Sequence, residues 1–148
     1  MDAETLFLIC NNAVMPAWLL LAVAPGWIWT QRLVHAIWIP GLLGIAYLFA
    51  MASGTGPAPE GAGFGSLNGV MLLFTSPYAV LAGWIHYLAF DLFVGAWEAR
   101  DARRLDIPHW LVIPCLFLTL MAGPAGLLLY GIIRIARRGE VSLVEGAA

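Results

Sequence analysis

Four long apolar runs restrict this chain to folds that satisfy their backbone inside a lipid bilayer. A helix rises about 1.5 Å per residue and needs roughly 20 apolar residues to cross a hydrocarbon core about 30 Å thick. Runs of that length lie at about 6–24, 33–52, 78–99 and 110–133. Pro25-Gly26 ends the first and Ser53-Gly54 the second, while Ser76-Pro77 opens the third and Pro108 the fourth. Proline suits a first helical turn, where its missing N–H costs nothing. The chain is 61% hydrophobic and 11% charged, against about 25% charged in a soluble domain. These features predict an all-α polytopic membrane protein with four transmembrane helices in one domain, residues 1–138, followed by a flexible tail at 139–148.

The Gly- and Pro-rich stretch from Gly54 to Gly65 reads as a loop. The apolar stretch 66–75 after it is too short to span and reads as an interfacial or re-entrant helix, a shortened fifth span being the alternative. The acidic start, Asp2 and Glu4, is unlike the basic region that opens a signal peptide, so the first helix is expected to stay as an anchor.

All seven basic residues are arginine. With four spans, the cluster Arg100, Arg103 and Arg104 and the cluster Arg134, Arg137 and Arg138 fall on opposite sides. Arg32 then tilts the balance only slightly toward short cytoplasmic loops. The net charge of −2 offers no basic footprint for nucleic acid. Cys10 and Cys115 sit in apolar runs and read as small packing residues rather than a disulfide or zinc site. No P-loop, G-x-G-x-x-G, nucleophile elbow or c-type haem motif is present.

The third run embeds His86 and Asp91 in hydrocarbon. Buried ionisable groups are costly there and are functional candidates by default. At about 100° per residue, His86, Trp97, Phe90, Tyr87, Glu98, Asp91 and Trp84 share one half of the helix. The other half, with Ile85, Leu88, Leu92 and Ala96, reads as the lipid-facing side. His86 and Asp91 are too far around the helix to hydrogen-bond, but could flank one cavity. Glu98 lies two turns along the stripe of Asp91; it could work with Asp91, snorkel to the interface, or pair with Arg100 or Arg104. The candidate catalytic residues are therefore Asp91, His86 and Glu98.

Asn11, Asn12 and Trp18 on the first helix, with Trp84, Tyr87, Phe90 and Trp97 on the third, are the candidate substrate-binding residues. The asparagines could equally serve as inter-helix glue. No cofactor is predicted. A metal held by His35, His86, Asp91 and His109 is conceivable from the residue types, although no two histidines have ligand spacing. Glycines at 41, 44, 83, 95, 123 and 126 permit close helix approach.

The pattern Trp84-x-His86-x-Leu88-Ala89-x-Asp91-Leu92-Phe93-x3-Trp97 resembles a signature of a small membrane-protein family. The family is named for a plant abscisic-acid-deficiency locus required for neoxanthin formation. Asn12-x3-Pro16-x-Trp18 and Gly123-Pro124-x-Gly126-Leu127-Leu128 extend the likeness from about Phe7 to Arg134. The resemblance implies a four-helix membrane protein linked to carotenoid conversion, with Asn12, His86 and Asp91 carried over as matched positions. In plants the linked step turns an epoxide, violaxanthin, into the allene neoxanthin. An epoxide oxygen gains a proton and a polyene carbon loses one, which suits general acid–base catalysis. The chain reads as a bacterial form, expected in the inner (cytoplasmic) membrane as a multi-pass protein.

Four functions follow as expectations. The first is an isomerase-type enzyme acting on a carotenoid or similar polyene. The second is a non-catalytic carotenoid- or lipid-binding protein. A metal-dependent lipid oxidase and a small proton pathway complete the set. Membrane lipid and a polyene are the expected partners, with a homo-oligomer open and nucleic acid excluded.

Overall fold

The computed structural model describes residues 2–54 and 57–143. Its helices are α1 (Ala3–Val23), α2 (Trp38–Ser53), α3 (Leu67–Leu73), α4 (Pro77–Arg104) and α5 (His109–Arg138), with no strand among the described residues. A π-helical turn, Thr30–Val34, precedes α2. Four helical stretches are long and apolar enough to cross a membrane: α1, the turn with α2, α4 and α5. The protein is therefore a multi-pass membrane protein by the length and composition of its helices. Cys10 and Cys115 are buried as free thiols. The part of the tail at 144–148 lies outside the described residues.

Each boundary has a local cause. Asp2 caps α1 by accepting from the Thr5 N–H at 2.9 Å. The second run, expected to be continuous from about residue 33, is interrupted before Trp38. Pro40 cannot donate to the carbonyl four residues back, and so the α-helical ladder begins afresh there. Ser66 caps α3 through Gly69 N. At seven residues, or about 10 Å, α3 is too short to span.

Helix α4 is the axis of the bundle, packing against α1, α2 and α5. This overturns the expected lipid-facing side of α4, although Glu98 and Asp101 of the polar half are also buried. Ile85, Leu88, Leu92 and Ala96 are buried, whereas Trp84 and Phe90 are exposed, as is His86. In a bilayer, aliphatic side chains gain nothing by choosing lipid over protein, so close packing decides which face turns inward. Small residues set that packing. A Cβ on Gly95 would lie 2.6 Å from the Trp18 ring, so α1 and α4 meet closely there only because Gly95 has none.

Helix α5 is not one rod. Ala122 has φ −158° and ψ 65°, and Pro124 follows. A straight α5 would hold its ends about 43 Å apart. Instead Arg138 reaches Asp106, in the turn before α5, at 3.2 Å. Gly126 packs so closely on Thr119 that a Cβ would overlap the Thr119 backbone, and Tyr130 and Arg134 both reach Asp101 near the end of α4. The arms 109–121 and 123–138 thus form a hairpin that enters and leaves at one end of the bundle. At about 20 and 24 Å, neither arm matches the hydrocarbon thickness.

Folding α5 back corrects the reading of charge. Arg134, Arg137 and Arg138 return to the end that already holds Arg32, Arg100, Arg103 and Arg104, so all seven arginines share one end. Asp2, Glu4 and Glu60 lie toward the other. With the arginines at one end, the two ends of the bundle differ in the way that the positive-inside rule reads.

The hairpin is locked by a buried ion pair, Arg134 Nε to Asp101 Oδ2 at 2.7 Å, with side chains 2% and 1% exposed. Tyr130 adds a hydrogen bond at 2.6 Å. Two measurements test this architecture. Single cysteines at Asp106 and Glu140 are expected to label from the same face of a sealed membrane, and a cysteine at Glu60 from the opposite face. Labelling of the Asp106 and Glu140 sites from opposite faces would mean that α5 spans. Arg134→Leu should cost about 3–5 kcal/mol in a reversible unfolding assay, and Asp101→Leu added to it should recover part of the loss.

Candidate functional site

Three carboxylates on α4 face the hairpin, and each meets a different environment. Asp101 is saturated by Tyr130, Arg134 and Arg104, the last at 2.7 Å. Glu98 is fully buried and accepts from Thr119 Oγ1 at 3.0 and 3.1 Å to its two oxygens. It neither snorkels nor pairs with Arg100 or Arg104, because the first arm of α5 covers it. Asp91 lies against the hairpin tip, and its Oδ2 is buried without a hydrogen-bond partner.

The tip follows from its residues. Pro124 has no N–H to offer the Leu120 carbonyl, and its ring excludes a continuous helix. A carbonyl freed in hydrocarbon needs another donor. The Tyr87 hydroxyl supplies it, donating to Leu120 O. Gly123 makes room for the carboxylate, since a Cβ there would overlap Asp91 Oδ1. Tyr87 and the Gly123 N–H lie beside that carboxylate. The motif positions Asp91 and Gly123-Pro124, distant in sequence, thus meet in one place.

An aromatic wall leads away from the tip. Trp84 packs on Tyr87 with ring centroids 5.2 Å apart and on Phe7 at 5.7 Å. Its Nε1 donates to Asn11 Oδ1 at 3.3 Å. Because α5 turns back at the tip, residues 77–86 of α4 continue past it, and Trp84 remains open to the surroundings.

The other candidates fall elsewhere. Asn12 is exposed and its amide donates to Leu8 O at 2.7 Å, so it does not join Asn11. Trp18 is a core residue against Gly95. Trp97 packs edge-on against Tyr130 at 5.4 Å, as part of the hairpin lock. His86 and Asp91 do not flank one cavity. His86 faces a separate groove of about 400 Å³ between α2 and α4, lined by Pro40, Leu43, Tyr47, Phe90 and Phe93. Its ring stacks on Phe90 at 4.5 Å.

The four residues weighed as metal ligands are dispersed. His35 approaches Arg100, His109 bonds Ala22 O at 2.8 Å, and His86 and Asp91 face different sides of α4. Among the described residues, no three His, Cys, Asp or Glu side chains converge to hold a metal. Two features escaped sequence reading. Gly123 as the seat of Asp91 had a signal in the Gly-Pro pair inside an apolar run, whereas the hydroxyl of Tyr87 as the partner of the break had none.

Helices long enough to cross a bilayer, with a carboxylate lodged against a broken helix, define a polytopic membrane protein with an embedded polar site. A family model described as ABA DEFICIENT 4-like matches residues 5–130, and the chain belongs to that family. It is 28% identical over 123 residues to Protein ABA DEFICIENT 4, chloroplastic, of Arabidopsis thaliana, covering 78% of this chain and 56% of that protein. The chain thus spans little more than half the length of the curated relative it matches. No solved structure matches the chain.

The fit of Asp91 into Gly123 yields a paired prediction. Gly123→Ala should destabilise the protein by about 1–3 kcal/mol through overpacking. In the Asp91→Ala background, where the carboxylate is gone, the same substitution should cost much less. Equal losses in both backgrounds, read from thermal unfolding in detergent, would remove Asp91 from the Gly123 notch.

Proposed function

We propose that this protein acts on a carotenoid or a similar polyene lipid within the membrane, with Asp91 moving the proton. Family membership supports the class of substrate, and the seat of Asp91 supports its role. The observation that carries the proposal is a carboxylate oxygen left unpartnered at a helix break, at the foot of an aromatic wall. A long apolar substrate would lie along Trp84, Tyr87 and Phe7 in the space that α5 leaves by turning back.

In an epoxide-to-allene isomerisation, the C–O bond of the epoxide breaks, its oxygen gains a proton, and a polyene carbon loses one. The net change is zero in atoms and electrons. Asp91 as carboxylate takes the carbon-bound proton, and as the acid returns a proton to oxygen. Tyr87 stands beside it with its one proton given to the Leu120 carbonyl, and so holds the broken helix against Asp91. Glu98, tied to Thr119 and sealed from the wall, holds the first arm of α5 in place and is a positioning residue. His86 faces the other groove and takes no part in this step. We place the protein in a bacterial cytoplasmic membrane and expect no metal requirement.

A second reading, a binding protein that presents pigment to another enzyme, draws on the groove at His86, whose lining is apolar and aromatic. Pigment analysis in a bacterial host making epoxy-carotenoids separates the two. Asp91→Asn is expected to lower turnover by about 100-fold or more, the scale of a lost general acid–base, with folding retained. Co-purified but unconverted pigment in both wild type and variant would favour the binding reading. A wild-type rate in the variant would refute the assignment of Asp91.

A further inference from the structure

The arginine end of the bundle holds a second cavity, far from Asp91 and unused by the proposed chemistry. It is an open concavity of about 480 Å³ lined by Gln31, His35, Arg100, Arg103 and Arg104. We propose that it binds the phosphate of an anionic phospholipid headgroup.

The charge balance is the first argument. Among the described residues, the ion pairs join Arg104 and Arg134 to Asp101 and Arg138 to Asp106. Arg100 and Arg103 pair with no carboxylate. Arg104 shares its one carboxylate with Arg134, and so brings part of its charge to the cavity. Three guanidinium groups therefore line a cavity whose lining contains no acid.

The second argument is that the cavity is held in shape. Arg103 Nη1 donates to the Pro25 carbonyl at 3.3 Å, and its guanidinium lies over Gly26, 3.6 Å from where a Cβ would sit. Gln31 Nε2 donates to Gly26 O at 3.1 Å. Arg100 Nη1 approaches His35 Nδ1 at 3.5 Å. These contacts orient the side chains and leave further N–H donors, since each guanidinium carries five. Several arginine donors facing one concavity fit a phosphate better than they fit a point charge.

The third argument selects a lipid as the source of the phosphate. The segment between α1 and α2 that borders the cavity exposes Trp27, Ile28 and Trp29, at 51%, 48% and 48%. Exposed tryptophans beside a basic rim mark the depth of the headgroups, where acyl chains pass the apolar rings. Basic pockets between helices on the cytoplasmic side are where anionic headgroups bind.

The test is native mass spectrometry of the full chain released from bilayers of equal phosphatidylglycerol and phosphatidylcholine. Wild type should retain phosphatidylglycerol preferentially. Arg100→Gln with Arg103→Gln should reduce that preference by roughly 10- to 30-fold, the weight of two arginines at an anionic surface. Arg137→Gln with Arg138→Gln removes the same charge from the same end outside the cavity, and should leave the preference largely intact. Equal loss in both double variants would overturn the site in favour of diffuse surface charge. No preference in wild type would overturn it outright. Stabilisation of wild type by inorganic phosphate, lost in Arg100→Gln alone and unaccompanied by a lipid preference, would overturn the lipid source. All variants are checked for a single monodisperse peak, so loss of fold is distinguished from loss of binding.

Discussion

A helix can break inside a bilayer only where something other than water satisfies the backbone it frees. The rest of this structure depends on one such break, at Ala122 and Pro124. The Tyr87 hydroxyl takes over the Leu120 carbonyl, and Gly126 closes against Thr119. Once α5 turns there, three consequences follow together. Its second arm returns to Asp101, all the arginines gather at one end, and a length of α4 beyond the tip is left uncovered. The last of these leaves the aromatic wall open beside the proposed site.

The carboxylates of α4 show how surroundings sort chemically similar groups. Asp101 is surrounded by two arginines and a phenol, and its charge is spent on holding the hairpin. Glu98 is as deeply buried but has a single hydroxyl donor, Thr119. Asp91 alone has a buried oxygen with no partner. An unsatisfied polar atom in a low-dielectric interior is costly and is therefore a place to seek chemistry. That difference, rather than the periodicity shared by Asp91 and Glu98, separates a candidate proton carrier from a structural group.

Hydropathy made the apolar runs legible, and the prolines at 77 and 108 marked where α4 and α5 begin. Asp91 was legible because a carboxylate in hydrocarbon is rare. Whether α5 crosses or doubles back was not, since 30 apolar residues look the same in either case, and Gly123-Pro124 signals a kink without its angle. The lipid-facing side of α4 was misread because periodicity identifies faces but not neighbours. With α1, α2 and α5 all packed on α4, the aliphatic half became the core and His86 was left facing a groove. The charge count split the arginine clusters between two sides because it assumed that each run crosses, yet its slight tilt toward the short loops picked the end where the arginines gather.

The hairpin also explains why residues remote from Asp91 belong to the same device. The tip has no covalent tether to α4; its depth is set by where the two arms are pinned. Thr119 to Glu98 fixes the first arm, and Arg134 and Tyr130 to Asp101 fix the second. Slippage of either arm by one residue would move the tip by about 1.5 Å. That is enough to take Gly123 off the carboxylate, and proton transfer between heavy atoms tolerates little error in distance. Glu98 and Asp101 therefore contribute to the proposed reaction through geometry. Their loss would misplace the tip and spoil the site even with Asp91 intact, whereas the loss of the Asp91 carboxylate alone would leave the hairpin in place and remove the proton carrier.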